Sequence, residues 1–221
     1  YAPGWRYYDS GSFKNTPNSF ASISVTGTAC QCHCSHCNGQ MLNSMTAAPD
    51  PETLLNLAKK YAGEGCSGIL VSGGACADGS VPLAPFTDSL RQISEMGLEV
   101  VVHPGLLTHD TAAALAEAKI ARVALDLIGD SDTIRDIYHL GKSPQDYRNS
   151  LRAARAAGLK TAPHIVLGLY NGRIRGEYQA LDMVAGEGAD ALVLVVLKPL
   201  PGTAMARVQP PEFGEVEAFF K

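Results

Sequence analysis

What this sequence lacks narrows its class before any motif is read. No apolar run approaches the roughly 18 residues of a membrane span, and no secretory leader is read ahead of Tyr1. The 18 basic and 22 acidic residues leave a net charge of −4, and the lysines and arginines are scattered rather than clustered. Neither nucleic acid nor an anionic membrane is therefore implied as a partner. There is no second C-x2-C and no H-x3-H, so the distant ligand pair that completes most zinc modules is missing. At 221 residues, 46% of them hydrophobic, the chain is long and apolar enough to bury a sizeable core. Residues 1–19 read as an irregular lead-in, and residues 20–221 as one domain.

The abundance that stands out is local. Four of the six cysteines fall between Cys30 and Cys37, in the run Cys-Gln-Cys-His-Cys-Ser-His-Cys. A disulfide framework fits badly, because thiols crowded at alternate positions rarely reach the Cα separation of about 4.4–6.8 Å and the Cβ directions that a bridge needs. Zinc competes more seriously, since His33 and His36 lie inside the run and zinc accepts mixed Cys/His sets. The third reading uses Cys30, Cys34 and Cys37, spaced C-x3-C-x2-C. Three thiolates on one tight loop can hold three corners of a [4Fe–4S] cluster and leave the fourth iron open to a small molecule. Cysteines used this way outside a secreted scaffold point to a reducing compartment, and a cytoplasmic location is expected.

Around that loop the chain alternates strands and helices. Phe20–Thr26 alternates apolar and polar residues as a strand does. Asp50-Pro51-Glu52 opens a helix, with Asp50 suited to the N-cap and Leu54, Leu55, Ala58 and Tyr61 as its buried stripe. Further strands are expected at 68–72, 98–103, 120–126, 160–167 and 191–197. The last is the most apolar and is expected to be buried on both faces. Helices are expected near 87–96, after Thr108 or Asp110, near 131–139, from Ser143-Pro144 to Gly158, over 177–185, and from Pro210 to Lys221, where the chain stops. Six βα units predict an α/β fold, a partial (β/α)6 TIM-like barrel of parallel strands. In such folds the chemistry sits at the C-terminal ends of the strands. The cysteine loop falls there, with Ser72, Gly73 and Gly74, His103, Asp126, His164, Gly168 and the turn 170–175.

A C-x3-C-x2-C loop after the first strand of such a chain resembles the radical S-adenosylmethionine superfamily. The resemblance implies a [4Fe–4S] cluster on Cys30, Cys34 and Cys37, whose open iron takes the amino and carboxylate groups of S-adenosylmethionine. It also implies that the turn at Ser72, Gly73 and Gly74 receives the cofactor's amino group through backbone carbonyls, although Ala75 stands where the family usually has an acid. The residue before the last cysteine is usually aromatic there, and here it is His36. His103, Asp126, Gly168 and Arg175 are placed on the cofactor side: Asp126 as acceptor for a ribose hydroxyl or as a helix cap, Arg175 as partner of the cofactor's carboxylate or as a solvated loop residue. No catalytic residue is singled out.

A closer likeness rests on Ser24-Val-Thr-Gly-Thr28, Val71-Ser-Gly-Gly74, Leu125-Asp-Leu-Ile-Gly129 and Pro163-His-Ile-Val-Leu-Gly-Leu169. These stretches resemble the biotin-synthase-like proteins that make up two-protein lipoyl synthases. That likeness implies sulfur insertion into an octanoyl chain on a lipoyl carrier protein, with a sister radical protein and an electron donor such as ferredoxin or flavodoxin. It also implies a second [4Fe–4S] cluster as sulfur source, to which Cys76 is the candidate contributor and for which further ligands are expected beyond Lys221. Cys66 is read as a buried small hydrophobe. Leu167, Leu169 and Leu197 suit an acyl chain, or equally an ordinary core. An electron carrier and a zinc-stabilised binding module stay open beside the enzyme.

Overall fold

The structure, a computed structural model, describes residues 19–221 together with Asp9 and Gly11. The lead-in expected over 1–19 otherwise lies outside the described residues. The order is β1 (Phe20–Ser24), a 3-10 turn (Gln40–Ser44), β2 (Thr46–Ala47), α1 (Pro51–Gly63), β3 (Gly68–Ser72), a second 3-10 turn (Ala84–Phe86), α2 (Thr87–Glu95), β4 (Glu99–Val102), α3 (His109–Glu117) and β5 (Arg122–Asp126). Then come α4 (Ser131–Asp136), α5 (Pro144–Ala156), β6 (Thr161–Leu167), α6 (Glu177–Glu187), β7 (Val193–Val196) and α7 (Phe213–Phe219). Short polar side chains start the helices as the sequence suggests. The Asp50 carboxylate accepts from the Thr53 amide at 2.8 Å, the Asp130 carboxylate from Thr133 at 2.8 Å, and Asp146 reaches back to the Ser143 amide at 2.8 Å. Asp130, not Asp126, caps the helix after β5. This leaves Asp126 free for other work.

The seven strands among the described residues are all parallel, in the order β2-β1-β3-β4-β5-β6-β7. From β1 through β3 to β7 each new strand is added on the same side of the last. Right-handed crossovers then lay the helices against one face of the sheet and leave the other face open. The register shows which residues share each face. Ile23, Val71, Val102, Val123, Leu125, Ile165 and Leu167, all fully buried, form the helix-side core. The other face carries Ser24 beside Ser72, then His103, then Asp126 beside His164, and finally Val166 and Val195.

Several expectations are corrected. The two-residue strand β2 pairs with β1, so the described residues form seven strands rather than six, and β2 and β7 stand unjoined at the two edges of an open sheet. The last strand is not buried on both faces: Val195 is 43% and Val196 41% exposed, because β7 is an edge strand. Its apolar composition reflects half-covered β packing instead. The last helix begins at Phe213 rather than Pro210. A residue preceding proline is pushed toward extended backbone, and Glu212, still extended, serves as the N-cap. Leu167 points to the helix side and so cannot line the open face.

Candidate active site

The cysteine loop leaves the C-terminal end of β1 and is pinned on three sides. The Gln31 amide donates to the Ala75 carbonyl at 2.8 Å, and the Gln31 side chain accepts from the Ala77 amide at 2.9 Å, tying the loop to the turn after β3. The Ser35 amide donates to the Ile137 carbonyl at 2.8 Å, beyond the end of α4. The Met205 amide donates to the Ser35 carbonyl at 3.3 Å, and Gln40 to the Pro201 carbonyl at 3.0 Å, so the segment after β7 closes the third side. Within the loop the Cys34 carbonyl accepts from the Cys37 and Asn38 amides at 3.2 and 2.8 Å, one helical turn that brings the last two cysteines together.

None of the six cysteines forms a disulfide. The thiols of the loop form a contact chain in which Cys32 meets Cys30 and Cys34, and Cys34 meets Cys37. The donor atoms of Cys34, His36 and Cys37 lie within 4.8 Å of one another; Cys30 is outside that group. The adjacent Cys34 thiol, with His36 close by, brings the Cys37 thiol down to about 4 against the pull of burial. Contact with Cys32 and Cys37, then burial, pushes Cys34 up. His36 stacks on the Tyr138 ring at 5.1 Å, and its buried Nδ1 has no hydrogen-bond partner among the described residues. Cys32 is buried, and its thiol donates to the Cys76 carbonyl at 3.5 Å. Cys76 belongs to neither three-donor group, and Cys66 is buried at the opposite end of β3.

Gly73 and Gly74 matter through close approach. Neither adopts a positive φ. A Cβ on Gly74 would stand 2.0 Å from the Ala29 carbonyl oxygen and 2.6 Å from Cys30 Cα. A Cβ on Gly73 would meet only the side chains of Thr26 and Val25, at 3.1 Å. Thr26 completes the joint: its hydroxyl accepts from the Gly74 amide at 2.7 Å and donates to the Ala29 carbonyl at 2.9 Å.

At the next strand ends His103, Asp126 and His164 converge. His103 Nε2 lies 3.6 Å from Asp126 Oδ1, and the two imidazole rings stand 5.5 Å apart. The Tyr138 hydroxyl donates to Asp126 Oδ2 at 3.3 Å. Burial opposes charge on Asp126, but the neighbouring His103, with His164 and His36 behind it, holds its carboxyl well below the usual range. Burial likewise pushes His103 down, and Asp126 more than reverses it. Burial and the neighbouring His103 push His164 down to about 4.

Gly168 and Arg175 lie in the loop after β6. The Gly168 amide donates to Glu177, and its Cα is hard against Pro211, where a Cβ would stand 2.2 Å from Cγ. The Arg175 guanidinium pairs with Asp130 and Asp132 and sits 4.6 Å over the Tyr170 ring, so its charge is engaged within the protein. The residue organising this loop is Glu177, which sequence reading placed only as a helix start. It is buried, and its two oxygens accept from the amides of Gly168 at 2.7 Å, Arg175 at 2.6 Å and Gly176 at 2.9 Å. It also borders a small pocket shared with Leu127, Gly129 and Val166. Glu177→Gln turns one acceptor into a donor facing amides, and is expected to cost about 1–3 kcal/mol of stability, read by chemical denaturation. An unchanged midpoint would contradict this latch role. Tyr138 was missed too, since an aromatic within short helical turns carries no sign of what it touches.

The profile of the Radical SAM superfamily matches residues 24–173, which runs from the end of β1 past β6 and takes in every feature of the site up to that point. The chain belongs to the Radical SAM superfamily. Among curated proteins it is 28% identical over 201 residues to a biotin synthase of Geotalea daltonii, covering 85% of this chain and 58% of that one. It is 29% identical over 195 residues to a biotin synthase of Geobacter sulfurreducens, covering 83% and 57%. The chain thus spans a little over half the length of these relatives. Among solved structures, methylornithine synthase superposes with a TM-score of 0.68 at 20% identity, covering 88% of this chain and 58% of that one. Streptococcus suis SuiB bound to S-adenosylmethionine gives 0.69 at 13% identity, covering 91% and 46%. These likenesses establish the shared fold.

The residues present suit the cofactors of the Radical SAM superfamily, a [4Fe–4S] cluster and S-adenosylmethionine. A run of free thiols stands at the strand ends on a backbone fixed from three sides, and the glycine turn presses against Cys30.

Proposed function

We propose that this chain is the catalytic sheet domain of a radical S-adenosylmethionine enzyme of the biotin-synthase-like group, acting in sulfur insertion into a protein-bound octanoyl chain. The observation that carries the reading is the joint between the two loops: the C-x3-C-x2-C loop and the Gly73–Gly74 turn meet at adjacent strand ends, with Gly74 packed on Cys30. Cys30, Cys34 and Cys37 would hold the [4Fe–4S] cluster. When bound and reduced, the cofactors supply an electron and a 5′-deoxyadenosyl radical, which takes hydrogen from an unactivated carbon.

The protein's own residues divide the remaining labour. In the turn after β3 the carbonyls of Ser72 and Ala75 already accept from Val25 and Gln31, both at 2.8 Å, which leaves those of Gly73 and Gly74 for an amino group. The open face changes character across the sheet. It is polar at Ser72, His103 and Asp126, and apolar at Val166, Val193 and Val195. Polar positions suit a zwitterionic, ribose-bearing cofactor, and the valines suit an alkyl chain whose reacting carbon must be held close to the radical. The partly exposed valines of β7, rather than the buried Leu167, are the surface this chain offers to an acyl group.

The proposed partners are an octanoylated lipoyl carrier protein, a sister radical protein and a ferredoxin- or flavodoxin-type electron donor. The sulfur source is a second cluster. Cys76, beside Cys32, is the thiol this chain brings nearest to that task, and its companions must come from elsewhere. The test combines the protein, its sister, S-adenosylmethionine, a reductant and the octanoylated carrier under anaerobic conditions, and reads the carrier by intact mass. A carrier heavier by sulfur is expected. Formation of 5′-deoxyadenosine with an unchanged carrier would overturn the octanoyl substrate and favour a small-molecule substrate instead.

A further inference from the structure

We propose that His103, Asp126 and His164 form a second metal centre, binding one divalent transition-metal ion through two imidazoles and one carboxylate. Parallel pairing builds it. Asp126 and His164 are register partners on adjacent strands and so point to the same face. His103 follows β4, on the other side of β5, with the same orientation. Three neighbouring strands thus deliver three donors, whose ligand atoms all lie within 4.8 Å of one another. Two donors each about 2.1 Å from one tetrahedral ion stand about 3.4 Å apart. The His103 Nε2 to Asp126 Oδ1 separation of 3.6 Å is already close to that, and the His164 donor atom lies within 4.8 Å of both.

The surroundings are those of a ligand set. Asp126 has its second oxygen fixed by the Tyr138 hydroxyl at 3.3 Å, which leaves Oδ1 toward the histidines. An outer hydrogen bond of this kind orients a ligating carboxylate. The Ser72 hydroxyl donates to the His103 carbonyl at 2.9 Å and holds that strand end in place. A simple structural His–Asp pair would account for His103 and Asp126. It gives no reason for His164, whose ring meets His103 but takes no hydrogen bond among the described residues. The side chains of His103 and Asp126 are 24% and 31% exposed, so an ion has access from the open face. Imidazole with carboxylate selects zinc, iron(II) or cobalt(II) over calcium or magnesium, and three protein ligands leave further positions for a small ligand.

The centre uses none of the cysteines, so it is tested with the loop occupied. Protein carrying its [4Fe–4S] cluster is titrated anaerobically with cobalt(II). One equivalent is expected to bind with the visible d–d absorption of nitrogen and oxygen ligands, without thiolate charge transfer, and to be displaced by zinc. The near-isosteric His164→Gln and Asp126→Asn are each expected to abolish that absorption while the cluster's iron and sulfide content stays unchanged, which shows that the fold survives. Tyr138→Phe is expected to weaken cobalt binding about 10- to 100-fold. Absence of a cobalt site, a site bearing thiolate charge transfer, or equal cobalt affinity in His164→Gln would each overturn the proposal. The titration is run without S-adenosylmethionine, because His103 and Asp126 also belong to the face proposed for that cofactor, so a missing cobalt site leaves the reading of the cysteine loop standing.

Discussion

Cys34→Ala is expected to abolish cluster assembly, so that anaerobically reconstituted protein carries no stoichiometric iron and sulfide and forms no 5′-deoxyadenosine. Cys30→Ala and Cys37→Ala should behave alike. Cys34 is the most deeply set of the three: it is buried, and its carbonyl closes the turn that brings Cys37 alongside. A cube that loses one of three thiolates keeps too few protein ligands, and the neighbouring Cys32 thiol is turned to the Cys76 carbonyl instead. Cys32→Ala is the informative contrast. Its thiol is directed to the Cys76 carbonyl, so the variant should keep about four irons and its cleavage activity, with at most a modest loss of stability. If Cys32→Ala loses the cluster while Cys30→Ala keeps it, the ligand set is wrong. Zinc retained on Cys34, His36 and Cys37 after anaerobic iron loading would restore the zinc module, whose donors already lie within 4.8 Å of one another.

Gly74→Val is expected to remove cluster binding and S-adenosylmethionine affinity together, far beyond its effect on the helix-side core. The added Cβ would stand 2.0 Å from the Ala29 carbonyl oxygen and 2.6 Å from the Cys30 backbone, and backbone cannot rotate aside as a side chain can. The loop has to shift, carrying Cys30 and breaking the Thr26 hydroxyl bond to the Gly74 amide. Gly73→Ala meets only side-chain atoms at 3.1 Å and should be much milder. Iron content and cofactor affinity measured beside thermal unfolding separate the effects. Gly74→Val that unfolds at the wild-type temperature and keeps full cluster occupancy would contradict the close-approach role.

Much of this was legible in the sequence because it is written in local chemistry. Asp50-Pro51 marks a helix start wherever it occurs, and the thiol spacing within Cys30–Cys37 is a property of one loop. Alternation of apolar segments and helix signals gave the parallel sheet and the side of it on which chemistry sits. The misses are all non-local. Val195 and Val196 read as interior because apolar composition does not reveal whether a strand has a neighbour on both sides. The two residues of β2 are too few to show a period. Gly74 announced a turn, but the partner that requires glycine there, Cys30, is known only once β1 and β3 lie side by side. Glu177 looked like a routine helix-start acid, and its three amide partners depend on how the preceding loop folds back. His103, Asp126 and His164 were each visible at strand ends, and only the register shows that they meet.

The central claim is that the thiol loop and the glycine turn together hold a reducible cluster and S-adenosylmethionine. It is tested most directly by incubating the anaerobically reconstituted protein with S-adenosylmethionine and a strong reductant, and measuring 5′-deoxyadenosine and methionine. The expected result is equal amounts of both products in the wild type and neither in Cys34→Ala. Wild-type protein with about four irons per chain that yields neither product, or Cys34→Ala that yields both, would contradict it.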